Sequence, residues 1–265
     1  MSSTQSLAGK VALITGGSKG IGRATALRLA RDGAKVVVNY SSDAEAAEQI
    51  VKEIGAENAV AIKADAGNVE EITKLVDATV QKFGRIDIVI ACAGIMLLNE
   101  LDKVTEQEFD RTFNLNVKGP LFLAQVSLQL AQRIGVVTRQ QKAATQMASG
   151  GRIILFSTTQ CAASTVTPNY LTYISSKGAI EQMTRGLSKD LARKGIMVNA
   201  VAPGPTATDL FMKGKSEQVV KMIAGFNPQQ RLGKPEEIAD VVGFLSSEAA
   251  QWVTGQVLRV NGGHA

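Results

Sequence analysis

The sequence predicts an α/β protein built on a doubly wound parallel sheet of about seven strands, with helices on both faces. Seven short apolar runs, rich in Val, Ile and Ala, are bounded by Gly, Asp or Asn, which is typical of strands buried on both faces. Helical patterns separate these runs. No linker or low-complexity stretch interrupts the alternation, so we expect residues 1–265 to form one domain.

The elements follow the chain in a regular order. The predicted strands are Val11–Thr15, Lys35–Tyr40, Ala59–Ala64, Ile86–Ala91, Arg152–Ser157, Met197–Val201 and Gln256–Val260. The predicted helices cover about 21–32, 43–54, 69–83, 105–133, 172–194 and 235–248. The polar stretch 134–150 is predicted to be a helix extension or a loop, and no function is assigned to it.

Composition excludes several classes of partner. The formal charge is +5, but Lys and Arg are scattered without aromatic interleaving, so we expect no nucleic-acid partner. No segment reaches the roughly 18 apolar residues of a membrane span. The first residues lack the pattern of a secretory signal, and we expect a cytoplasmic protein without a membrane partner. Cys92 and Cys161 are too few for a disulfide framework, and Cys92 is expected to be a small buried hydrophobe.

The scarcity of histidine restricts the chemistry. His264 is the only histidine, so mechanisms that pair Ser or Cys with His are not expected. Zinc sites with Cys and His ligands are equally disfavoured, and we predict no metal. A general acid in this chain must therefore be Tyr, Lys, Asp, Glu or Cys.

A glycine-rich turn, "TGGSKGIG", joins the first strand to the first helix. Glycines at this place let the backbone approach a diphosphate at the N-terminus of a helix. The turn predicts a Rossmann-type dinucleotide site. Its candidate cofactor-binding residues are Gly16, Ser18, Lys19, Gly20, Ile21 and Gly22.

The end of the second strand predicts the type of dinucleotide. NAD sites usually carry an acidic residue there, but this sequence has Asn39, Tyr40, Ser41 and Ser42. Asp43 is the rival acid, yet a capping box between Ser42 and Glu45 would place Asp43 in the first turn of a helix. Because Lys19 adds a positive charge beside a 2′-phosphate, we predict NADP(H).

Two further strand ends contribute to the predicted cofactor site. Asp65 and Ala66 follow the third strand, where Asp65 would either hydrogen-bond the adenine amine or cap the next helix. Ala93 and Gly94 follow the fourth strand, where small residues let a ligand approach the backbone.

The sequence as a whole resembles the short-chain dehydrogenase/reductase family over about residues 7–263. The motifs that carry the resemblance are "TGGSKGIG", "ACAG", "NVKG", "STT", "YISSK" and "PGPTAT", in the family's order. The resemblance implies a catalytic Tyr-x-x-x-Lys pair, which matches Tyr173 and Lys177 and not Tyr170. It also implies a helix asparagine at Asn116, with Asn114 as a decoy. Lys177 and the positive nicotinamide would favour the Tyr173 phenolate, and Lys177 would also bind the nicotinamide ribose.

The sequence leaves two neighbouring candidates for the hydroxyl that works with Tyr173 and Lys177. The family's serine after the fifth strand aligns with Thr158, and Ser157 is the alternative, followed by Thr159. Neighbours on a strand point to opposite sides, so only one of Ser157 and Thr158 should face the nicotinamide. We favour Thr158.

The resemblance places a nicotinamide loop after the sixth strand. Its cofactor contacts are Pro203, Gly204, Thr206 and Thr208. Apolar residues that follow, including Leu210 and Met212, would form a mobile lid, and Phe226 would join a hydrophobic pocket. The predicted pocket residues are Met96, Gln160, Tyr170 and Phe211.

The expected function is NADPH-dependent reduction of a carbonyl in a small hydrophobic substrate, with Tyr173 as the acid. The alternatives are a non-catalytic NADP-binding regulatory protein and a specialised biosynthetic reductase that also steers a cyclisation. The resemblance further implies a homo-oligomer, either a dimer or a tetramer, packed through the helices near 105–133 and 172–194.

Overall fold

A computed structural model describes residues 6–133 and 150–265, with the side chains of 129–133 left aside. Within them one sheet holds seven parallel strands in the order β3-β2-β1-β4-β5-β6-β7. The strands are β1 Val11–Thr15, β2 Lys35–Tyr40, β3 Ala59–Lys63, β4 Ile88–Ala91, β5 Arg152–Phe156, β6 Met197–Pro203 and β7 Val257–Val260. The predicted fold class is confirmed, and each predicted strand is present with ends shifted by two residues at most.

Helices connect successive strands and cover both faces of the sheet. They are α1 Gly20–Arg31, α2 Ala44–Ile54, α3 Val69–Phe83, α4 Glu106–Phe113, α5 Gly119–Arg133, α6 Leu171–Leu191, α7 Asp209–Met212, α8 Glu217–Gly225 and α9 Pro235–Ser246. Helices α1, α2 and α9 pack on one face through residues such as Leu29, Ile50 and Val242. Helices α3, α5 and α6 pack on the other through Leu75, Leu123 and Ile180.

Helix α2 begins one residue later than the sequence predicted. Asp43 is the N-cap, and its carboxylate accepts a hydrogen bond from the N–H of Ala46 at 3.0 Å. The predicted capping box between Ser42 and Glu45 is therefore wrong. Asp and Ser are comparable N-caps, so the local pattern did not distinguish the two positions.

Helix α3 begins at an N-cap residue, Asn68, that the sequence analysis did not predict. Asn68 accepts hydrogen bonds from the N–H groups of Glu70 and Glu71. Asp65 instead accepts from the N–H of Gly67 at 2.8 Å, in a turn before the helix. The alternative in which Asp65 caps this helix is wrong.

The single helix predicted over 105–133 is interrupted. Asn114–Lys118 forms a π-helical turn between α4 and α5. Such turns often occur at functional sites because they widen the helix and turn a side chain out of register. This one contains Asn116, which is fully buried.

Two short helices that the sequence did not predict, α7 and α8, follow β6, and α7 contains the residues expected to form a lid. Thr208 caps α7 through the N–H of Phe211, and Ser216 caps α8 through the N–H of Val219. Prediction missed them because α7 is only four residues long and its apolar residues resemble an exposed loop.

The polar stretch 134–150 falls, except for Gly150, outside the described residues. No helix in the described ranges is both long enough and apolar enough to cross a membrane.

Candidate active site

The candidate site is a cleft at the carboxyl ends of the central strands, beside the point where the strand order reverses between β1 and β4. Ligands bind at this place in open parallel sheets. The cleft encloses about 310 Å³. Predicted residues that line it are Gly16, Lys19, Gly20, Ile21, Gly22, Ala93, Gly94, Met96, Ser157, Thr158, Gln160, Tyr170, Tyr173, Lys177, Pro203, Gly204, Thr206, Thr208 and Phe211.

Other predicted cofactor residues lie elsewhere. Ser41 and Asp65 line a second, polar cleft beside the π-helical turn. The predicted cofactor residues that line neither cleft are Ser18, Asn39, Tyr40, Ser42 and Ala66, and the predicted catalytic residue Asn116 lines neither.

The glycine loop is shaped so that only glycine fits at its centre. A Cβ on Gly22 would lie 2.1 Å from the carbonyl oxygen of Gly16, and one on Gly16 would lie 2.8 Å from the Cα of Ala93. The φ angles of Gly16 and Gly20 are positive, at 63° and 51°. The first turn of α1 contains no acidic residue, so its free N–H groups can bind an anion without competition from a carboxylate. The loop fits a dinucleotide diphosphate.

Asn39 supports this loop from beneath and does not face the cleft. Its side chain is buried, with Nδ2 donating to the carbonyl of Ala64 at 2.9 Å and Oδ1 accepting from the N–H of Gly16 at 3.4 Å. Its carbonyl also accepts from the N–H of Gly17 at 2.9 Å. Both ends of the Asn39 amide are therefore hydrogen-bonded to backbone groups, so the side chain is not free to bind a ribose.

Lys19 forms an ion pair at the glycine-loop end of the cleft. Its Nζ lies 2.6 Å from the Asp43 carboxylate, and both side chains are partly exposed. The hydrogen bond between them raises the pKa of Lys19 and lowers the pKa of Asp43. Asp209, at the start of α7, raises the pKa of Lys19 by a smaller amount and also lines the cleft. Lys19, which the sequence predicted to lie beside a 2′-phosphate, is thus paired with the Asp43 carboxylate.

Tyr173 and Lys177 lie one turn apart on the same face of α6. The Nζ of Lys177 is 5.8 Å from the centroid of the Tyr173 ring and donates to the carbonyl oxygen of Phe156 at 2.8 Å. Tyr170 packs edge-on against Tyr173, with ring centroids 6.3 Å apart. The sequence reading missed the role of Phe156, because a main-chain carbonyl leaves no trace in the residue type.

Burial dominates the ionisation of the pair. It lowers the pKa of Lys177 from 10.5 to about 8. It raises the pKa of Tyr173 above its usual range, while a hydrogen bond with the Thr158 side chain acts in the opposite direction. Lys177 and the positively charged nicotinamide are together expected to favour the phenolate, whereas burial in the protein alone favours the phenol.

The three hydroxyls after β5 have different partners. The Thr158 hydroxyl accepts from the N–H of Gln160 at 3.4 Å, and its proximity to Tyr173 lowers the pKa of that phenol. Ser157 donates to Glu181 at 2.8 Å, and Thr159 donates to the carbonyl of Ala202 at 3.1 Å. Of the three, Thr158 is the one whose side chain acts on the tyrosine.

Asn116 is held in place on all sides. Its Oδ1 accepts from the N–H of Ile95 and its Nδ2 donates to the Ile95 carbonyl, both at 2.9 Å. Nδ2 also donates to Ser176 at 3.1 Å, next to Lys177. A Cβ on Gly94 would meet Asn116 Oδ1 at 3.3 Å and Lys177 Nζ at 3.6 Å. Asn114, the decoy, is exposed.

The outer part of the cleft is mostly apolar. Met96, Tyr170 and Phe211 line it together with Leu210 and the amide of Gln160. Phe226, which the sequence reading placed in this pocket, is 65% exposed and does not line it. The carbonyl of Phe211 accepts a 2.6 Å hydrogen bond from Lys215, which fastens α7 to the segment that follows it.

The glycine loop, the buried lysine and the tyrosine thus meet in one cleft. Residues 10–219 match the short chain dehydrogenase family. The chain belongs to this family. A short chain dehydrogenase/reductase of Aspergillus novofumigatus is 43% identical over 98% of this chain and 97% of its own. Versicolorin reductase of Emericella nidulans is 41% identical, over 97% of this chain and 96% of its own.

Solved structures of short-chain dehydrogenases share the whole fold. One from Burkholderia cenocepacia, in complex with NADP, has a TM-score of 0.86 and 33% identity, covering 98% of this chain and 99% of its own. An angucycline C-6 ketoreductase with bound NADP has a TM-score of 0.84 and 34% identity, covering 98% and 96%. The chain is thus an oxidoreductase of this family.

Proposed function

We propose that this short-chain dehydrogenase uses NADPH to reduce a ketone of a small hydrophobic substrate to an alcohol. The observation that carries the proposal is the convergence of Tyr173, Lys177 and Thr158 on one apolar cleft beside the glycine loop. The relative named as a reductase and the NADP complexes among similar structures support the direction and the cofactor.

In this mechanism NADPH bound along the glycine loop supplies the hydride. The Tyr173 phenol donates its proton to the carbonyl oxygen as that oxygen gains negative charge. Thr158, held beside the phenol, hydrogen-bonds the same oxygen and orients it. Lys177 places a positive charge behind the tyrosine and is fixed there by the carbonyl of Phe156.

The apolar walls define the kind of substrate. Met96, Leu210 and Phe211 exclude water from the carbonyl, which strengthens the hydrogen bonds made to it. Asn116 acts from a distance, since its amide fixes Ile95 and Ser176, the chain neighbours of Gly94 and of the catalytic lysine.

Replacing Tyr173 by Phe tests the proposal directly. We expect Tyr173→Phe to abolish ketone reduction, because no proton donor remains at the carbonyl, while NADPH binding stays nearly intact. The measurement is NADPH consumption over a panel of ketones, with cofactor affinity from fluorescence titration. Tyr170→Phe removes the same hydroxyl one turn away, and we expect it to keep most of the activity.

Undiminished turnover in Tyr173→Phe would contradict the proposed role. If the wild-type protein bound NADPH tightly and turned over no ketone or alcohol, the non-catalytic regulatory protein would be the better explanation.

A further inference from the structure

We propose that Glu181 is a positioning residue of the reductase, acting through Ser157 on both Lys177 and Thr158. The Ser157 hydroxyl and the Glu181 carboxylate form a hydrogen bond of 2.8 Å, named here the Ser157–Glu181 clasp. Its effect on turnover rests on the proposed function, whereas its effect on stability does not.

The clasp is the dominant interaction of the Ser157 side chain. This side chain is 3% exposed, and its oxygen lies within reach of three acceptors. Glu181 Oε1 is at 2.8 Å, the carbonyl of Lys177 at 3.5 Å and the sulfur of Cys161 at 3.8 Å. A hydroxyl has one proton, so it goes to the nearest and only charged acceptor, which also makes the strongest bond.

Glu181 extends the catalytic face of α6. Tyr173, Lys177 and Glu181 are spaced four residues apart, so they lie one above another along the same side of the helix. The first two face the cleft, and the third contacts the strand end that forms its wall. The clasp therefore joins this helix face to the end of β5.

The clasp sits between two groups that the reaction needs. The carbonyl that holds Lys177 belongs to the peptide unit between Phe156 and Ser157. Thr158, which lines the cleft together with Tyr173, is the next residue along the chain. Fixing Ser157 to Glu181 thus fixes the direction of the Phe156 carbonyl on one side and of the Thr158 hydroxyl on the other.

The same geometry favours Thr158 over Ser157 as the hydroxyl that would bind the substrate. With its proton committed to Glu181, Ser157 has none to donate to a ketone oxygen. Displacements of about 1 Å at a reacting centre can cost up to about 100-fold in rate, so loss of the clasp should reduce turnover.

A double-mutant cycle tests the clasp. Ser157→Ala and Glu181→Ala should each lower kcat roughly tenfold with little change in NADPH affinity, and the double variant should be no worse than either single one. Glu181→Gln should keep kcat within about threefold of wild type, because its amide oxygen accepts the same hydrogen bond. Gln182→Ala, an exposed neighbour on α6, is the matched control.

The pH profile separates positioning from general loss of structure. When the Phe156 carbonyl is no longer fixed, the Lys177 ammonium loses part of its stabilisation, so the alkaline fall of kcat/KM should begin at lower pH in Ser157→Ala. The profile of Glu181→Gln should match the wild type. Strictly additive losses, an unchanged kcat in Ser157→Ala, or a Glu181→Gln variant as impaired as Glu181→Ala would overturn the proposal.

A thermal-unfolding cycle on the same variants needs no substrate. Non-additive changes in Tm would support the clasp even if wild type reduced no ketone, in which case only the proposed function would fail. Additive changes would overturn the clasp.

Discussion

At the scale of single residues, we expect the buried lysine to control the pH dependence of the site. Burial lowers the pKa of Lys177 to about 8, and the proposed mechanism uses its ammonium form. Burial also raises the pKa of Tyr173, so the phenol keeps its proton over the same pH range. A positive charge is thus present below pH 8 and lost above it, whereas the proton donor is retained.

We therefore expect kcat/KM for ketone reduction to be constant below pH 8 and to fall about tenfold per pH unit above it. Initial rates between pH 6 and 10 measure this limb. Lys177→Arg, whose guanidinium stays protonated, should be less active but show no decline in that range. A decline at the same pH in Lys177→Arg would assign the limb to another group.

We expect the ion pair between Lys19 and Asp43 to limit the strength of NADPH binding. Asp43→Asn keeps the cap of α2, since Asn is an equally good cap, but it frees Lys19 and removes a negative charge. We expect a several-fold lower KM for NADPH in Asp43→Asn and a roughly tenfold higher KM in Lys19→Ala, with kcat nearly constant in both. Initial rates at varied NADPH measure the effect, and an unchanged KM in Lys19→Ala would show that this charge does not bind the cofactor.

Several of these residues were found from the sequence because their spacing carries the signal. Tyr173 and Lys177 lie four apart on a helix, and the glycines follow a strand. The partners of Asn39 and Ser157 were not predictable, since those side chains bind carbonyls and carboxylates that are distant in the chain. Thr158 was favoured over Ser157 from the sequence because it aligns with the family's serine after the fifth strand.

At the scale of elements, the junction between the π-helical turn and α5 is tightly packed. A Cβ on Gly119 would lie 2.1 Å from the carbonyl oxygen of Ala66, in the loop after β3. Glycine is needed there because no side chain fits between the helix and the loop.

Gly119→Ala should lower the free energy of unfolding by about 2 kcal/mol, as expected for overpacking against backbone. Gly186→Ala is the control: nothing lies within 4 Å of a Cβ at that position in α6. We expect it to be neutral or to stabilise by up to about 1 kcal/mol, since Ala favours helix. Urea unfolding of both variants measures the difference, and equal effects would contradict the close contact.

The elements themselves were largely predictable. Buried parallel strands are continuous apolar runs, so their positions followed from where these runs lie along the sequence. The break at Asn114–Lys118 was not predicted, because one extra residue in a helical turn hardly changes the apolar pattern. The helices α7 and α8 are short and contain no buried residue, so they lack the core-facing stripe that reveals a longer helix.

At the scale of the whole molecule, the helices expected to join subunits carry exposed apolar side chains. Phe109 on α4 is 43% exposed and Leu121 on α5 is 40% exposed. These values fit the expectation that copies of the chain associate through the region 105–133.

We expect Leu121→Glu to shift the protein toward smaller species, because a carboxylate placed in an apolar interface is left unpaired. Leu210→Glu places the same charge on α7, at a residue 46% exposed, and should not change the assembly. Sedimentation velocity compares both with wild type. A wild-type protein that sediments as a monomer would contradict the expected homo-oligomer.

Asn39 has a consequence for any redesign of the cofactor preference. A comparison of motifs would suggest Asn39→Asp as the way to make the protein accept NADH. The amide, however, donates to the carbonyls of Ile62 and Ala64 and accepts from the glycine loop. A carboxylate would face those two carbonyls with no proton to offer, so the substitution would loosen the loop that both cofactors need. Engineering should begin instead at Ser41 and Ser42, whose side chains are exposed and do not hold the sheet together.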